Sequence, residues 1–275
     1  MKKHLVCIDL DSTFLKDDRT ISQYSIDYVK KFVKAGNYFI INTGRPHQGA
    51  IQYLKDLGIH QPMIVNNGSA IVEYDENYDH VVSYKTFDMD INIVKEFYEE
   101  VKDLINTCAI TSIFDFYSVD MSKCPFFIIH PNKYISFHEG DISTLLNTSP
   151  IRSEYYVKEE NLEKFKSILN KEKYKQSFDY IYWGGWDSIY SFEIFSPLAT
   201  KGKTMEFLAK KLGISQENTF AFGDQLNDIP MLEFANDGVA ILNARQEVKD
   251  IANHISKKDN EHDGVVLYLE ELNLL

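Results

Sequence analysis

Two aspartates near the N-terminus are the first residues whose type and spacing could do chemistry. Asp9 and Asp11 follow a short apolar run that starts at Leu5, a pattern typical of a strand buried on both faces of a parallel sheet. Because alternate residues of a strand share a face, both carboxylates can point to the same place where the strand opens into a loop. Two close carboxylates repel each other unless a cation neutralises them, so the pair indicates a hard cation such as Mg²⁺. The alternative is a plain acidic loop start in an acidic protein.

Further polar residues follow the predicted ends of other strands. They are Thr43-Gly44-Arg45, Lys201, and the segment Gly223-Asp224-Gln225-Leu226-Asn227-Asp228. Each has an ordinary structural explanation, because Thr43 and the two aspartates could cap helices and Lys201 could be a solvated lysine at a helix start. Open parallel sheets, however, bind ligands beyond the carboxyl ends of their strands. Together these residues supply what phosphoryl transfer requires: a nucleophile, a metal held by carboxylates, and donors for the phosphoryl oxygens.

Regular alternation of strands and helices predicts how these residues are positioned. The opening strand is followed by a helix from about Ser22 to Ala35, which Gly36 ends, and by a second buried strand from Tyr38 to Asn42. This strand-helix-strand unit predicts an α/β fold built on a doubly wound, Rossmann-like parallel sheet. Further predicted elements here are a helix over 46–57, a strand over 62–65, a turn at Asn66-Asn67-Gly68-Ser69, and hairpin strands over 70–74 and 81–84.

The middle of the chain breaks this alternation. We therefore predict an α+β cap domain, residues 83–190, inserted into a catalytic core formed by residues 1–82 and 191–275. The predicted elements of the insertion are helices over 91–105 and 159–169 and strands over 109–119, 125–130, 152–157, 178–183 and 189–195, the last two around a turn at Gly184-Gly185. The alternation then resumes with helices over 203–212, 229–234, 246–252 and 264–272 and strands over 219–222 and 239–242.

Composition limits the classes of partner. The 275 residues are 44% hydrophobic and 25% charged, which is typical of a soluble globular protein. The formal net charge of −12 argues against nucleic acid as a partner. Since no apolar run approaches the roughly 20 residues needed to cross a bilayer, we expect a cytoplasmic protein without a membrane partner. We expect a monomer or weak homodimer, with Cys7, Cys108 and Cys124 as buried reduced thiols.

The four polar groups resemble the motifs of a known family, the haloacid dehalogenase superfamily. Within it the sequence is similar to the Cof-type phosphatases of subfamily IIB, which carry a C2-type cap between their second and third motifs. The matching segments are Asp9-Leu10-Asp11-Ser12-Thr13, Asn42-Thr43-Gly44-Arg45, Lys201-Gly202 and Gly223-Asp224-Gln225-Leu226-Asn227-Asp228. Secondary patterns of the family match at Asn67-Gly68, Met231-Leu232, Asn243-Ala244 and Asp263-Gly264-Val265. One departure is Ser12, where the family most often has glycine.

The resemblance implies two roles for the opening aspartates. Asp9 would be the nucleophile that accepts the phosphoryl group as an aspartyl phosphate, and its other carboxylate oxygen would bind Mg²⁺. Asp11 would protonate the leaving oxygen and then activate water, while its backbone carbonyl reaches the metal. Asp224 would be a direct metal ligand, and Asp228 would bind the metal directly or through water.

The resemblance also implies which residues hold the phosphoryl group. Thr43 and the amide of Gly44 would bind phosphoryl oxygens, together with Leu10 of the first motif. Lys201 would pair with both Asp9 and the phosphate, and Asn227 would orient Lys201 or the phosphoryl group. Arg45 is suited to anions but could serve the cap or the core instead.

The expected function is a Mg²⁺-dependent phosphatase of a small phosphorylated metabolite, either a sugar phosphate or a phosphorylated cofactor. A phosphomutase with the same chemistry is the nearer alternative. A non-enzymatic phospho-acceptor or ligand sensor is the more distant one. Asp11 favours an enzyme over a non-enzymatic phospho-acceptor, because a second carboxylate supplies the acid and base needed for turnover of an aspartyl phosphate.

Overall fold

The strands and helices are those of a computed structural model that describes residues 2–124 and 135–275. The strands are β1 (Leu5–Ile8), β2 (Tyr38–Ile41), β3 (Met63–Val65), β4 (Ala70–Tyr74), β5 (Val81–Thr86), β6 (Ile105–Thr111), β7 (Asp115–Ser118), β8 (Ser136–Glu139), β9 (Arg152–Lys158), β10 (Asp179–Trp186), β11 (Ile189–Phe195), β12 (Thr219–Gly223), β13 (Asp237–Ala240) and β14 (His254–Ile255). The helices are α1 (Gln23–Lys34), α2 (His47–Leu57), α3 (Ile91–Val101), α4 (Ile142–Leu145), α5 (Leu162–Leu169), α6 (Glu172–Ser177), α7 (Lys201–Leu212), α8 (Ile229–Phe234), α9 (Gln246–Lys249) and α10 (Gly264–Glu271). The chain divides into a core unit, Met1–Lys85 with Thr200–Leu275, and an inserted unit, Thr86–Ala199.

The core unit contains a five-stranded parallel sheet in the order β14-β13-β12-β1-β2. Strand β1 is fully buried and lies between β12 and β2. From β1 the chain continues to β2 on one side, whereas from β12 it continues to β13 and β14 on the other. The strand order therefore reverses between β1 and β12, and ligands of open α/β sheets bind at such a reversal. The predicted α/β fold with a parallel sheet is confirmed.

Local signals explain where the flanking helices begin and end. Ser22 accepts a hydrogen bond from the backbone N–H of Ser25 at 3.0 Å and caps α1. Helix α2 ends at Gly58 and α7 at Gly213, and both glycines take the left-handed conformation that suits a helix C-terminus. Pro46, expected as the first helical residue of α2, is its extended N-cap instead. Beyond α2, β3, β4 and β5 form a separate three-stranded sheet.

The inserted unit is built on a six-stranded sheet in the order β10-β11-β9-β6-β7-β8. Its neighbours pair antiparallel except β7 and β8, which are parallel. Its helices pack their apolar sides on this sheet around Phe97, whose ring centroid lies 4.8 Å from that of Tyr174 and 5.2 Å from that of Tyr155. Among the residues that the structure describes, a buried cluster with members from Met89 to Ile194 gives the unit a hydrophobic core of its own.

The structure differs from the sequence predictions at several places in the inserted unit. The helix expected over 91–105 ends at Val101, and Ile105 begins β6. Gly184-Gly185 lies within β10, while the turn to β11 is made by Asp187 and Ser188, both at positive φ. Residues 191–199, assigned to the core from sequence, belong to the inserted unit because β11 pairs with β9 and β10. The strand expected over 125–130 lies outside the described residues.

The three cysteines are buried free thiols, as expected. Among the residues that the structure describes, no helix combines the length and the apolar character needed to cross a membrane.

Candidate active site

Asp9 and Lys201 form a buried ion pair where β1 ends. The Nζ atom of Lys201 lies 2.6 Å from Oδ1 of Asp9 and 2.5 Å from Oδ1 of Asp228. Lys201 is only 1% exposed, although it is the first residue of α7. The alternative of a solvated lysine at a helix start is therefore wrong.

Burial and charge act in opposite directions on these groups. Burial by itself lowers the pKa of Lys201, but the negative charges of Asp228 and Asp9 outweigh it and leave the pKa above its usual value. Burial also raises the pKa of Asp9; the ammonium of Lys201 opposes this rise, and the charge of Asp228 adds to it. One buried ammonium is not enough to neutralise the carboxylates around it.

Asp224 and Asp228 complete a compact group of carboxylates. Oxygen atoms of Asp9, Asp224 and Asp228 all lie within 4.8 Å of one another, and all three residues are buried. Thr13 donates its hydroxyl to Oδ1 of Asp224 at 2.7 Å. Burial, followed by the charge of Asp228, raises the pKa of Asp224 to about 6. Unfavourable burial of charge at this place is what a bound cation would relieve.

The donor set fits a hard divalent cation such as Mg²⁺. Three carboxylates against one ammonium leave an excess of negative charge, and every available ligand atom is an oxygen. Asp9, Asp224 and Asp228 are the residues that would hold the ion. Both oxygens of Asp228 already accept hydrogen bonds, Oδ1 from Lys201 at 2.5 Å and Oδ2 from the N–H groups of Asp224 and Gln225 at 2.9 Å each. Asp228 therefore also caps its own turn, so its ordinary structural role coexists with a place in the cluster.

Asp11 lies apart from the carboxylate group. Its side chain is 53% exposed and is held by Arg45 through two charge-assisted hydrogen bonds. The residue after it, Ser12, takes a left-handed φ of 56°. Glycine adopts this conformation without strain, which explains the family's preference for glycine here. Ser12 is accommodated, and its carbonyl accepts a hydrogen bond from Nδ2 of Asn243 at 2.8 Å.

The loop after β2 carries Thr43, Gly44 and Arg45. Thr43 is 1% exposed, and its Oγ1 accepts a hydrogen bond from the backbone N–H of Arg45 at 3.2 Å. It does not cap α2, whose N-cap is Pro46. Arg45 also contacts Tyr53, with Nη1 3.0 Å from the phenol oxygen and the guanidinium carbon 5.1 Å from the ring centroid. Leu10, in the turn after β1, is fully buried.

Asn227 is held by a residue that the sequence analysis did not place in the site. Its Nδ2 donates to Oδ1 of Asn67 at 2.8 Å. The sequence pattern around Asn67 predicts a turn and matches a secondary pattern of the family. The signal that could have found it is the Asn-Asn-Gly run, which predicts a tight turn directly after β3, a strand bridged to the chain just beyond β2 through Ile64 and Asn42. Thr13 and Tyr53 were missed as well, because neither side chain has a distinctive local pattern.

Comparison with known proteins gives consistent matches along nearly the whole chain. A family model described as haloacid dehalogenase-like hydrolase matches residues 6–269. The 5-amino-6-(5-phospho-D-ribitylamino)uracil phosphatase YitU of Bacillus subtilis is 30% identical over 98% of this chain and 97% of its own. A crystal structure from Thermotoga maritima has a TM-score of 0.79 at 22% identity, covering 98% of this chain and 97% of that one. A haloacid dehalogenase-like hydrolase from Bacteroides thetaiotaomicron has a TM-score of 0.77 at 20% identity, covering 98% and 100%.

Proposed function

The chain belongs to the haloacid dehalogenase-like hydrolase family and is a phosphatase of the Cof type, and we propose that it uses Mg²⁺ and an aspartyl phosphate on Asp9 to hydrolyse a small phosphorylated metabolite. The observation that supports this best is the buried ammonium of Lys201 between Asp9 and Asp228, within a group of three carboxylates. A carboxylate attacks a phosphate ester readily only when nearby positive charge cancels their mutual repulsion. Lys201 and a cation in the carboxylate group would supply that charge.

The residues divide the reaction between them. Bound Mg²⁺, held by Asp9, Asp224 and Asp228 and by the backbone carbonyl of Asp11, would neutralise charge on the phosphoryl oxygens. Lys201 holds one oxygen of Asp9 at 2.6 Å and so restricts rotation of the carboxylate before the reaction. Asp9 then forms the new bond to phosphorus as the ester bond to the leaving oxygen breaks.

The phosphoryl group needs donors around its oxygens while this happens. The hydroxyl of Thr43, the backbone amides of Leu10 and Gly44, and Asn227 are the proposed donors, together with the Lys201 ammonium. Donors fixed before the reaction are worth most where charge develops. The burial of Thr43, at 1% exposed, fits such a fixed position.

Asp11 is the proposed general acid and base. It would give a proton to the leaving alkoxide and later take one from the water that attacks the aspartyl phosphate. Arg45 lies in hydrogen-bond contact with the Asp11 carboxylate and keeps it in one orientation.

The proposed substrate class is a phosphorylated sugar, polyol or cofactor. YitU, which matches this chain over nearly its full length, is named as a phosphatase of 5-amino-6-(5-phospho-D-ribitylamino)uracil. That compound carries its phosphate on a ribityl chain and is the first candidate to assay. Sugar phosphates, pyridoxal phosphate and flavin mononucleotide are the next.

A phosphatase screen with and without metal tests the proposal. Inorganic phosphate should be released from at least one of these esters in the presence of Mg²⁺, and EDTA should abolish the release. Full activity of the chelated enzyme would contradict the metal. Formation of an isomeric phosphate ester without free phosphate would indicate a mutase instead. A stable phosphoprotein without turnover would indicate a phospho-acceptor.

A further inference from the structure

The turn Asn66–Gly68, which follows β3, has an unusual backbone. Its three residues take φ values of 49°, 54° and 97°, so three consecutive residues lie in the left-handed region. Residues with a side chain disfavour that conformation, although asparagine adopts it more readily than most. Backbone strain of this kind persists only where the surrounding structure holds it, and it concentrates at functional sites.

Asn67 connects this turn to two of the proposed phosphoryl-binding segments. Its backbone N–H donates to the carbonyl of Thr43 at 3.1 Å, and its side-chain Oδ1 accepts from Nδ2 of Asn227 at 2.8 Å. The same Oδ1 would lie 2.9 Å from a Cβ added to Gly44. Asn67 is 5% exposed, so this amide is held inside the protein between the loop that follows β2 and the loop that follows β12.

The next residue connects the turn to the third segment. The carbonyl of Gly68 accepts a hydrogen bond from Oγ1 of Thr204 at 2.6 Å. A Cβ added to Gly68 would lie 2.4 Å from the carbonyl carbon of Thr200 and 2.8 Å from the nitrogen of Lys201. The turn therefore contacts the start of α7, which begins at Lys201. It packs there so closely that only glycine fits.

We propose that Asn67 is a positioning residue for phosphoryl binding, which fixes the Asn227 amide and the Thr43-Gly44 loop relative to each other. This inference rests on the proposed function, because it assigns those segments to the phosphoryl group. The Asn67 side chain makes one hydrogen bond to Asn227 that its backbone cannot replace. Loss of that bond frees the Asn227 amide to rotate, and misplacement of a binding group by about 1 Å can cost roughly 10²-fold in rate.

The chain offers a matched pair of variants. Asn67→Gly removes the amide but keeps the left-handed backbone and the N–H to Thr43. Asn66→Gly makes the same change one residue earlier, where the side-chain Oδ1 is buried and has no hydrogen-bond partner among the described residues. Both variants place glycine at a residue with a left-handed φ. A larger effect of Asn67→Gly would therefore come from loss of the Asn67 side chain and not from the change in the backbone.

Two measurements are made on the full-length Mg²⁺-loaded protein: steady-state hydrolysis of p-nitrophenyl phosphate, and the Kd for inorganic phosphate by calorimetry. Asn67→Gly should lower kcat/KM by about 10–100-fold and weaken phosphate binding by about tenfold or more. Asn66→Gly should stay within about threefold of the wild type in both. In an Asn227→Ala background, Asn67→Gly should lower kcat/KM by no more than about a further threefold, because the contact between the two side chains is already lost.

Equal behaviour of the two glycine variants would overturn the inference, as would an undiminished cost of Asn67→Gly in the Asn227→Ala background. If Asn67→Gly does not fold, Asn67→Asp is the variant that tests the inference. It keeps an acceptor for Asn227 but adds a negative charge, so KM should rise while kcat stays within about fivefold of the wild type. Unchanged KM in that variant would overturn the inference. A wild-type protein that binds phosphate with the expected dependence on Asn67 but hydrolyses no ester would refute the proposed function and leave the positioning role standing.

Discussion

Arg45 holds Asp11 by both carboxylate oxygens, with Nε 2.8 Å from Oδ2 and Nη2 2.5 Å from Oδ1. The two parallel hydrogen bonds use the fork of the guanidinium group, which lysine could not reproduce. Tyr53 supports the other side of the guanidinium. The proposed acid and base of the reaction is therefore oriented by a second residue, at a distance from the buried carboxylates.

Replacement of Asp11 by asparagine separates proton transfer from nucleophilic attack. Asp11→Asn keeps the side-chain shape but cannot exchange a proton, so turnover of a sugar phosphate should fall by about 10²–10⁴-fold. In single-turnover phosphoryl transfer, the rate with an aryl phosphate should fall much less, because its leaving group needs little protonation. Equal losses for aryl and alkyl esters in rapid-quench experiments would contradict the role of Asp11.

Replacement of Asp9 by asparagine removes the proposed nucleophile. Asp9→Asn should form no phosphoenzyme and show no turnover, while Asp11→Asn should accumulate the labelled intermediate because its hydrolysis lacks a base. Acid quench after mixing with ³²P-labelled substrate measures both. Label retained on the Asp9→Asn protein would show that another residue accepts the phosphoryl group.

Removal of the buried ammonium should cost stability. Lys201→Met leaves three carboxylates close together without their positive partner, and loss of one member of a buried ion pair typically costs about 3–5 kcal/mol. Urea unfolding without metal should show this loss, and added Mg²⁺ should recover part of it because binding to the folded state adds stability.

Lys210 provides the control within the same helix. Its ammonium is 74% exposed and pairs with Glu206 at 2.6 Å on the surface. Lys210→Met should leave the unfolding midpoint nearly unchanged, since exposed pairs contribute little. If both variants unfolded at the same urea concentration, the electrostatic account of Lys201 would be wrong.

The stability of the inserted unit should depend on pH through Glu100. Hydrogen bonds from Lys171, and further from Tyr174 and Lys173, lower the pKa of Glu100 from 4.5 to about 2. Because its pKa is lower in the folded than in the unfolded protein, Glu100 stabilises the fold above pH 4.5, and this contribution is lost as the pH falls toward 2.

The variant Glu100→Gln should remove that dependence. Its free energy of unfolding should be lower than that of the wild type at pH 6, and the difference should shrink as the pH falls below 4.5. Glu163→Gln serves as the control, because the Glu163 side chain is 85% exposed and pairs with Lys166 at the surface. A Glu100→Gln deficit that persists unchanged at pH 3 would contradict the assignment.

The sequence predicted where β1, β2 and β12 lie because burial and periodicity agree there, whereas β13 lies two residues earlier than expected and β14 was not predicted. β1 and β2 are short and apolar, and Gly36 ends the helix before β2, so the positions of Asp9 and Thr43 followed directly. Those positions are local properties of the chain. The same signals led to the family motifs around Lys201 and Asp224.

Contacts between distant segments could not be predicted in the same way. Gly184-Gly185 suggested a turn, yet pairing with β11 extends β10 through both glycines. Residues 191–199 were assigned to the core, although hydrogen bonding of β11 to β9 settles their place. No local pattern identifies Tyr53. Asn67 lies in a recognisable turn, but its contact with Asn227 depends on the fold.

The order of strands in the core unit has a consequence for how the protein is made. β1 leaves the ribosome long before one of its two neighbours, β12. Lys201 and Asp9 are likewise 192 positions apart in the sequence. Closing such distant contacts is entropically slow, so this sheet belongs to the class of topologies that fold late. During translation, the inserted unit emerges complete while β1 still has one open edge. Protection of that edge from other nascent chains, rather than formation of the catalytic groups, is then the demanding step in biosynthesis.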